Sequence, residues 1–331
     1  MALMDTDARD LVELVIPTYG RPEALVQAVE SALSRTSFLV TVLDDHSPTP
    51  AEESLDTARL NAVFDDRLRV IRNTFNLGAS LNILRTLEVS RAPYTWPFAD
   101  DHVVPQGAGT KVADAIAEHA DAAILFWHPG LSEHEYVDLT GLAGFIDLVE
   151  QGRSGFGFSD VFFNRVLRTE VGRRYLRLDA RFSHAQPMLG IQLAALADGL
   201  PVHIGSGAVS SAQPIAASGW SAGYVERFKI DLAYLIPDPC LRSRYRAVVA
   251  RDLRWRAALI DLPEAQRGSI DEAFVVDAAI LIAHSSIPLR LRVEARLALF
   301  LRISPLGRLL ARVLPKKRGD ANKVEFRDTT W

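Results

Sequence analysis

The chain has 331 residues, 48% hydrophobic and 24% charged, with a formal net charge of −4 and one cysteine. That length holds two domains, or one large domain with an appendage, and buries a core without staples. A single thiol, Cys240, excludes an intrachain disulfide framework and a cysteine-based zinc cluster, and the mild acidity speaks against a dedicated nucleic-acid binder.

The acidic start, MALMDTDARD, has no basic-then-apolar leader pattern. No apolar run reaches the roughly 18 residues that span a bilayer. Both features predict a soluble, cytoplasmic protein.

In chain order, apolar runs at Leu11–Ile16, Leu39–Leu43, Leu68–Ile71 and Tyr94–Phe98 predict four short strands spaced like βα units. Pro22 opens a helix between the first two, because its missing N–H would lack a partner there anyway. Leu25, Ala28, Val29, Ala32 and Leu33 recur at helical spacing and form its apolar face. A second helix follows Gly78, with Leu81, Leu84 and Leu87 on one side.

Continuous apolar strands joined by helices imply an α/β fold with a mostly parallel sheet. Ligands of such sheets bind at the carboxyl ends of the strands. Those positions hold Pro17-Thr18-Tyr19-Gly20-Arg21, then Asp44-Asp45-His46-Ser47, then Arg72 to Gly78, then Asp100-Asp101-His102. Each cluster alone reads as ordinary turn chemistry. Four at one end of one sheet speak against that reading, and three of them hold polar or charged groups suited to a phosphorylated ligand.

Beyond them lie a helix over Gly109–His119, a strand over Ala122–Trp127, a glycine-rich crossover at Gly152–Gly157, and a strand around Val161–Asn164. A helix from His184 to Ala197 and a mobile loop over Gly205–Gly223 follow, and from Arg227 the pattern is helical. Between Leu289 and Arg318 nine basic residues face one acidic residue, a net of +8, so the rest of the chain carries −12. This stretch reads as a basic amphipathic helix broken by Pro305. It lies on an anionic membrane surface, or packs on the domain with its arginines solvated.

The runs ELVIPTYGRPEALVQAVESAL, VTVLDDHSP, VIRNTFNLGASLN and YTWPFADDHVVP resemble family 2 glycosyltransferases of the GT-A fold, closely over residues 11–105 and more loosely to about 200. The resemblance implies transfer of a sugar from a nucleotide-diphosphate donor to a hydroxyl of a glycan or lipid-linked acceptor, usually with inversion and a divalent metal. GFSDVFFNRV and FSHAQPML look more like the branch of abequosyltransferase-type O-antigen enzymes. The implied organisation is a GT-A domain over 1–225, with a nucleotide half to about 105 and an acceptor half to 225, then a helical region over 226–331. The implied place is the inner face of the cell membrane, held peripherally by the basic tail.

Site residues follow from the same likeness. Mn²⁺ or Mg²⁺ takes one or two carboxylates plus phosphates; Asp101 would hold the metal and Asp100 the ribose. The family often has a third acid where this chain has His102. That histidine is either an extra ligand, which suits Mn²⁺ better, or a neighbour of the ligands. Asp45 would accept from a base imide N–H, and Pro17, Thr18, Tyr19 and Arg21 would line the nucleotide pocket, with Tyr19 against the base. Arg72 is a base or phosphate contact, or a solvated strand-end arginine. Asn76 and Gly78 resemble the family's Asn-x-Gly turn. The usual Glu-Asp pair for the acceptor base is absent; His184 stands nearest its position, with Asp179 next. Two other readings remain, a sugar-phosphate nucleotidylyltransferase and a non-catalytic assembly subunit.

Overall fold

The computed structural model describes residues 8–128, 131, 135–151, 164–182, 187–213, 232–252, 282 and 289–306. The chain divides into two compact units, residues 1–216 and 217–330. The boundary expected at 225 lies outside the described residues.

The first unit is built on an eight-stranded sheet: β1 (Val12–Thr18), β2 (Leu39–Asp44), β3 (Leu68–Arg72), β4 (Tyr94–Pro97), β6 (Ile124–His128), β7 (Tyr136–Leu139), β8 (Arg165–Arg168) and β9 (Val202–Ser206). Its order is β3-β2-β1-β4-β8-β6-β9-β7, and a two-stranded ribbon pairs β5 (His102–Val103) with β10 (Ser211–Ala212). Antiparallel β8 sits between β4 and β6, and antiparallel β7 closes the edge beside β9; the other six strands run in one direction.

Alternation along the strands buries both faces of the sheet. Leu14, Ile16, Val40, Val42, Trp96 and Leu125 join one core with the helices Pro22–Arg35 and Ala108–Glu118. Val15 and Leu43, one residue out of phase, are fully buried on the other side. The first helix begins at Pro22 and buries all five expected apolar residues. In the second, Ala79–Val89, the buried face is Ile83, Leu84 and Leu87. Leu81, expected on that face, is 42% exposed. The i, i+4 step from Ile83 to Leu87 follows the helix repeat better than the i, i+3, i+6 set starting at Leu81.

Two other expectations change. Of the strand expected around Val161–Asn164, residues 161–163 lie outside the described set, and a strand that was not expected follows directly at Arg165–Arg168. The segment read as a mobile loop from Gly205 supplies the end of β9 and the strand β10, whose Ala212 pairs with His102. Residues 214–223 of it, and the glycine-rich run 152–157, are outside the described residues. The helix expected over 184–197 is described from Pro187 to Ala197, after a separate helix Thr169–Phe182.

The described elements of the second unit are helical: a 3-10 turn Leu232–Leu235, Pro239–Asp252 and Leu289–Ile303. The last ends at Ile303, and residues 305–306 are helical again after a bend at Ser304, the break expected at Pro305.

Candidate active site at the strand ends

Register decides which side chains meet. In the parallel ladder Thr18 pairs with Asp44, and Asp44 with Arg72, so the three lie in one row at the carboxyl ends of β1, β2 and β3. The chain then folds back through residues 98–101, which bring Asp100 beside β1. Thr18 Oγ1 donates to Asp100 Oδ2 at 2.8 Å.

Arg21 occupies the centre. Its Nη1 lies 3.2 Å from Asp100 Oδ1 and 3.0 Å from Asp101 Oδ2. One guanidinium thus bridges both carboxylates and supplies the counter-charge that the acidic pair needs. Gly20 adopts a left-handed backbone, φ 67°, which a residue with a Cβ seldom takes. Its N–H donates to Ser47 Oγ at 3.0 Å, tying the first loop to the second. A small cleft between them is lined by Thr18, Gly20, Arg21, Ser47 and Thr49. Tyr19 is 49% exposed at its rim, available for stacking.

The two acids differ electrostatically. Burial, reinforced by Asp101, outweighs Arg21 and Thr18 and raises the Asp100 carboxyl above its ordinary value. At Asp101 burial also acts upward, but His102 and Arg21 overcome it and the carboxyl lies low. Asp101 is therefore the firmer anion. His102 Nδ1 stands 2.9 Å from Asp101 Oδ1, the placing of a histidine that neighbours and orients a ligand. Gln213, from just past β10, braces the loop: its N–H donates to Asp101 O at 2.8 Å and its Nε2 to His102 O at 3.1 Å.

Asp44 and Asp45 point opposite ways, as consecutive residues of an extended chain do. Asp44 accepts from the N–H groups of Ser47 and Ala51 and pairs with Arg72 at 2.5 Å. Burial pushes its carboxyl up, but these donors win and hold it below the ordinary value. Arg72 is thus committed to the second loop, donating also to Ser47 O at 2.8 Å. Asp45, buried, accepts from Asn73 Nδ2 at 2.8 Å, Leu77 N at 2.8 Å and Gly78 N at 2.9 Å. It organises the loop that carries Asn76 and Gly78; Asn76 Oδ1 takes the same Gly78 N–H at 2.7 Å. Gly78, at φ 82°, starts the next helix.

The structure therefore brings Thr18, Arg21, Asp100, Asp101 and His102 together, with Pro17 behind them on β1. It sets Asp45, Asn76 and Gly78 in an adjoining bonded loop, and Arg72 apart from them on Asp44 and the second loop. His184 lies outside the described residues, and Asp179 falls in the last turn of the helix Thr169–Phe182. Asp44, Ser47 and Asn73 stand in the strand-end clusters read from the sequence but were given no role there, and Gln213 was missed. The role of Asp44 was legible in principle, since two adjacent strand-end acids must face opposite ways.

The low-lying Asp101 carboxylate at a strand end fits a divalent ion that would complete its shell with phosphate oxygens, provided Arg21 turns from the acids toward those phosphates.

Residues 13–142 match the model of the family described as Glycosyl transferase family 2. Over 115 residues the chain is 32% identical to abequosyltransferase RfbV of Salmonella typhimurium, a match that spans 34% of this chain and 34% of that protein. The crystal structure of residues 1–349 of S. aureus TarS superposes with a TM-score of 0.57 at 12% identity, covering 88% of this chain and 86% of that one. The same TarS segment in complex with UDP gives 0.55 at 14% identity, over 92% and 87%. The fold is the GT-A fold expected from the sequence, a mostly parallel sheet flanked by helices.

Proposed function

We propose, from the match of residues 13–142 to glycosyl transferase family 2, that this protein moves a sugar from a nucleotide-diphosphate donor to a hydroxyl of a glycan or lipid-linked acceptor in surface polysaccharide synthesis. The observation that carries the reading is the convergence of Thr18, Arg21, Asp100 and Asp101 at the carboxyl ends of β1 and β4. The match to an abequosyltransferase over part of the chain supports the polysaccharide setting.

In this reading Asp101, the lower-lying carboxylate, would hold Mg²⁺ or Mn²⁺ and Asp100 the ribose, and the ion would supply positive charge to the diphosphate leaving group. His102 orients Asp101. Arg21, now bridging the two acids, offers a planar fork that also suits phosphate oxygens. Tyr19 takes the exposed face of the base, and the layer built on Asp45 fixes the floor beneath it. Inversion is a single displacement: the acceptor hydroxyl attacks the anomeric carbon opposite the departing nucleotide diphosphate. A base within hydrogen-bond reach takes its proton, and His184 is assigned that role ahead of Asp179.

The helix Leu289–Ile303 supports peripheral membrane attachment. Leu289, Val293, Leu297 and Phe300 are exposed at spacings of four, four and three, one stripe along the helix. Arg290 and Arg296 are exposed beside it, so apolar contact and attraction to anionic lipid act on the same surface.

A thermal-shift panel of UDP, GDP, dTDP and CDP, each with and without Mn²⁺, tests the enzymatic reading. A nucleotide at 100 times its Kd stabilises by about 2.7 kcal/mol, or roughly 5–10 °C for a unit of this size. One nucleotide should give a metal-dependent shift that Asp101→Asn abolishes without unfolding the protein. No shift with any nucleotide, or an undiminished one in Asp101→Asn, would refute the assignment.

A further inference from the structure

The donor cleft lies at the carboxyl ends of the parallel strands. At the opposite end of the same sheet a second constellation forms from residues that no sequence motif connects. His203 is the second residue of β9, and its direct cross-strand partner on edge strand β7 is Asp138. Directly paired residues project to the same face, and here the Asp138 carboxylate reaches His203 Nδ1 at 2.6 Å. His119 arrives from a third element. It caps the carboxyl end of the helix Ala108–Glu118, where its N–H donates to Ala115 O and its carbonyl accepts from Ala122 N. Its ring stacks on that of His203, with centroids 3.4 Å apart and planes inclined by 23°. One donor atom from each of the three side chains lies within 4.8 Å of the others.

We propose that His119, Asp138 and His203 form a binding site for a divalent transition metal, Zn²⁺ best of all, separate from the donor cleft. Two imidazoles and one carboxylate are the donor set that Zn²⁺ takes when it keeps one position for water. Mg²⁺, which favours oxygen and near-octahedral shells, is a poor match.

Glu118 and Asp138 place negative charge beside the cluster. The Tyr136 ring, 5.9 Å from His203, flanks the cluster along β7.

Geometry requires two adjustments, the first being that the His119 ring, stacked on His203 with planes 23° apart, must turn until its in-plane lone pair meets the same point. Zn–N and Zn–O bonds of about 2.0–2.2 Å at tetrahedral angles set the two donors roughly 3.3 Å apart. The Nδ1···Oδ1 contact of 2.6 Å must therefore open by a fraction of an ångström. The Asp138 side chain is 69% exposed and can turn outward, whereas His203, at 7%, stays fixed. A bound ion would clip the edge strand β7 and the helix end at His119 to the middle of the sheet, with the fourth position left to water.

The test uses the full chain stripped with a chelator and titrated with Zn²⁺, followed by calorimetry and by Tm, and with Co²⁺ followed by its visible absorption. The expected result is one equivalent bound with a raised Tm, and binding weakened at least tenfold in both His119→Ala and Asp138→Asn. Asp138 is exposed, so Asp138→Asn tests the site even where the loss of a stacked ring in His119→Ala disturbs folding. Absence of binding to the wild type overturns the proposal. So does unchanged binding in Asp138→Asn, or its loss in Asp101→Asn, which would assign the ion to the donor cleft.

Discussion

Replacing Asp45 with alanine removes one carboxylate that serves three donors: Asn73 Nδ2, the Leu77 N–H and the Gly78 N–H. Two of these are backbone groups at the start of the helix Ala79–Val89, where no intrahelical acceptor exists for them. The Leu77 N–H is left without its acceptor, at about 1–3 kcal/mol, whereas Asn82 Oδ1 and Asn76 Oδ1 still accept from Asn73 Nδ2 and the Gly78 N–H. With the two bonds to an ionised acceptor also lost, about 2–4 kcal/mol follows, from the roughly 5–15 kcal/mol that a domain has in total. Asp45→Asn keeps the shape and one acceptor oxygen but turns an NH₂ toward a backbone N–H, so about 1–3 kcal/mol is expected from it. Urea unfolding gives the stability, read from the midpoint at constant slope, and the nucleotide thermal-shift panel gives donor affinity. Both should fall together, with alanine worse than asparagine, because the loop over 73–78 loses its anchor. If Asp45→Ala stays within about 0.5 kcal/mol of wild type, the range of an ordinary surface change, while nucleotide binding disappears, the loop-anchoring argument is wrong. Asp45 would then be a ligand contact alone.

The neighbouring Asp44 gives a pH signature. Its folded pKa lies below the ordinary 3.8, so as pH falls the unfolded chain takes up the proton first. Stability is fully present above pH 3.8 and lost as pH falls through the folded value. Urea midpoints measured downward from pH 6 should decline more steeply in wild type than in Asp44→Asn; parallel curves would refute the coupling. For the tail, Val293→Asp combined with Leu297→Asp should lower binding to anionic vesicles at least tenfold, since each buried aliphatic side chain contributes about 1.5–3 kcal/mol. Equal cosedimentation of variant and wild type would remove the membrane role from this helix.

Much of the nucleotide half was legible in the residue order. The helix Pro22–Arg35 starts at Pro22 and buries the expected five positions because a fourteen-residue amphipathic segment has one consistent apolar face. The strand-end clusters were legible for a similar reason, since a parallel βα repeat exposes the residues after each strand at one end. Leu81 failed because two candidate faces differ by a single residue in eleven, and packing against the neighbouring elements chose the one centred on Leu84 and Leu87. The segment after Gly205 failed because Gly, Ser and Ala carry no periodic signal. Its order comes from pairing with β5 and from Gln213 reaching the acidic loop.

The sequence by itself determined the repeating α/β frame, the rim on which Thr18, Arg21, Asp100 and Asp101 stand, and the basic tail beyond it. These are local properties, set by periodicity, turn chemistry and charge along the chain. Only the tertiary structure decided that Arg21 bridges the two acids, that Asp44 and Asp45 serve different loops, and that Asp138 meets His203 across 65 residues. Strand order and register are global solutions to burying two sheet faces at once, and no run of residues encodes them locally.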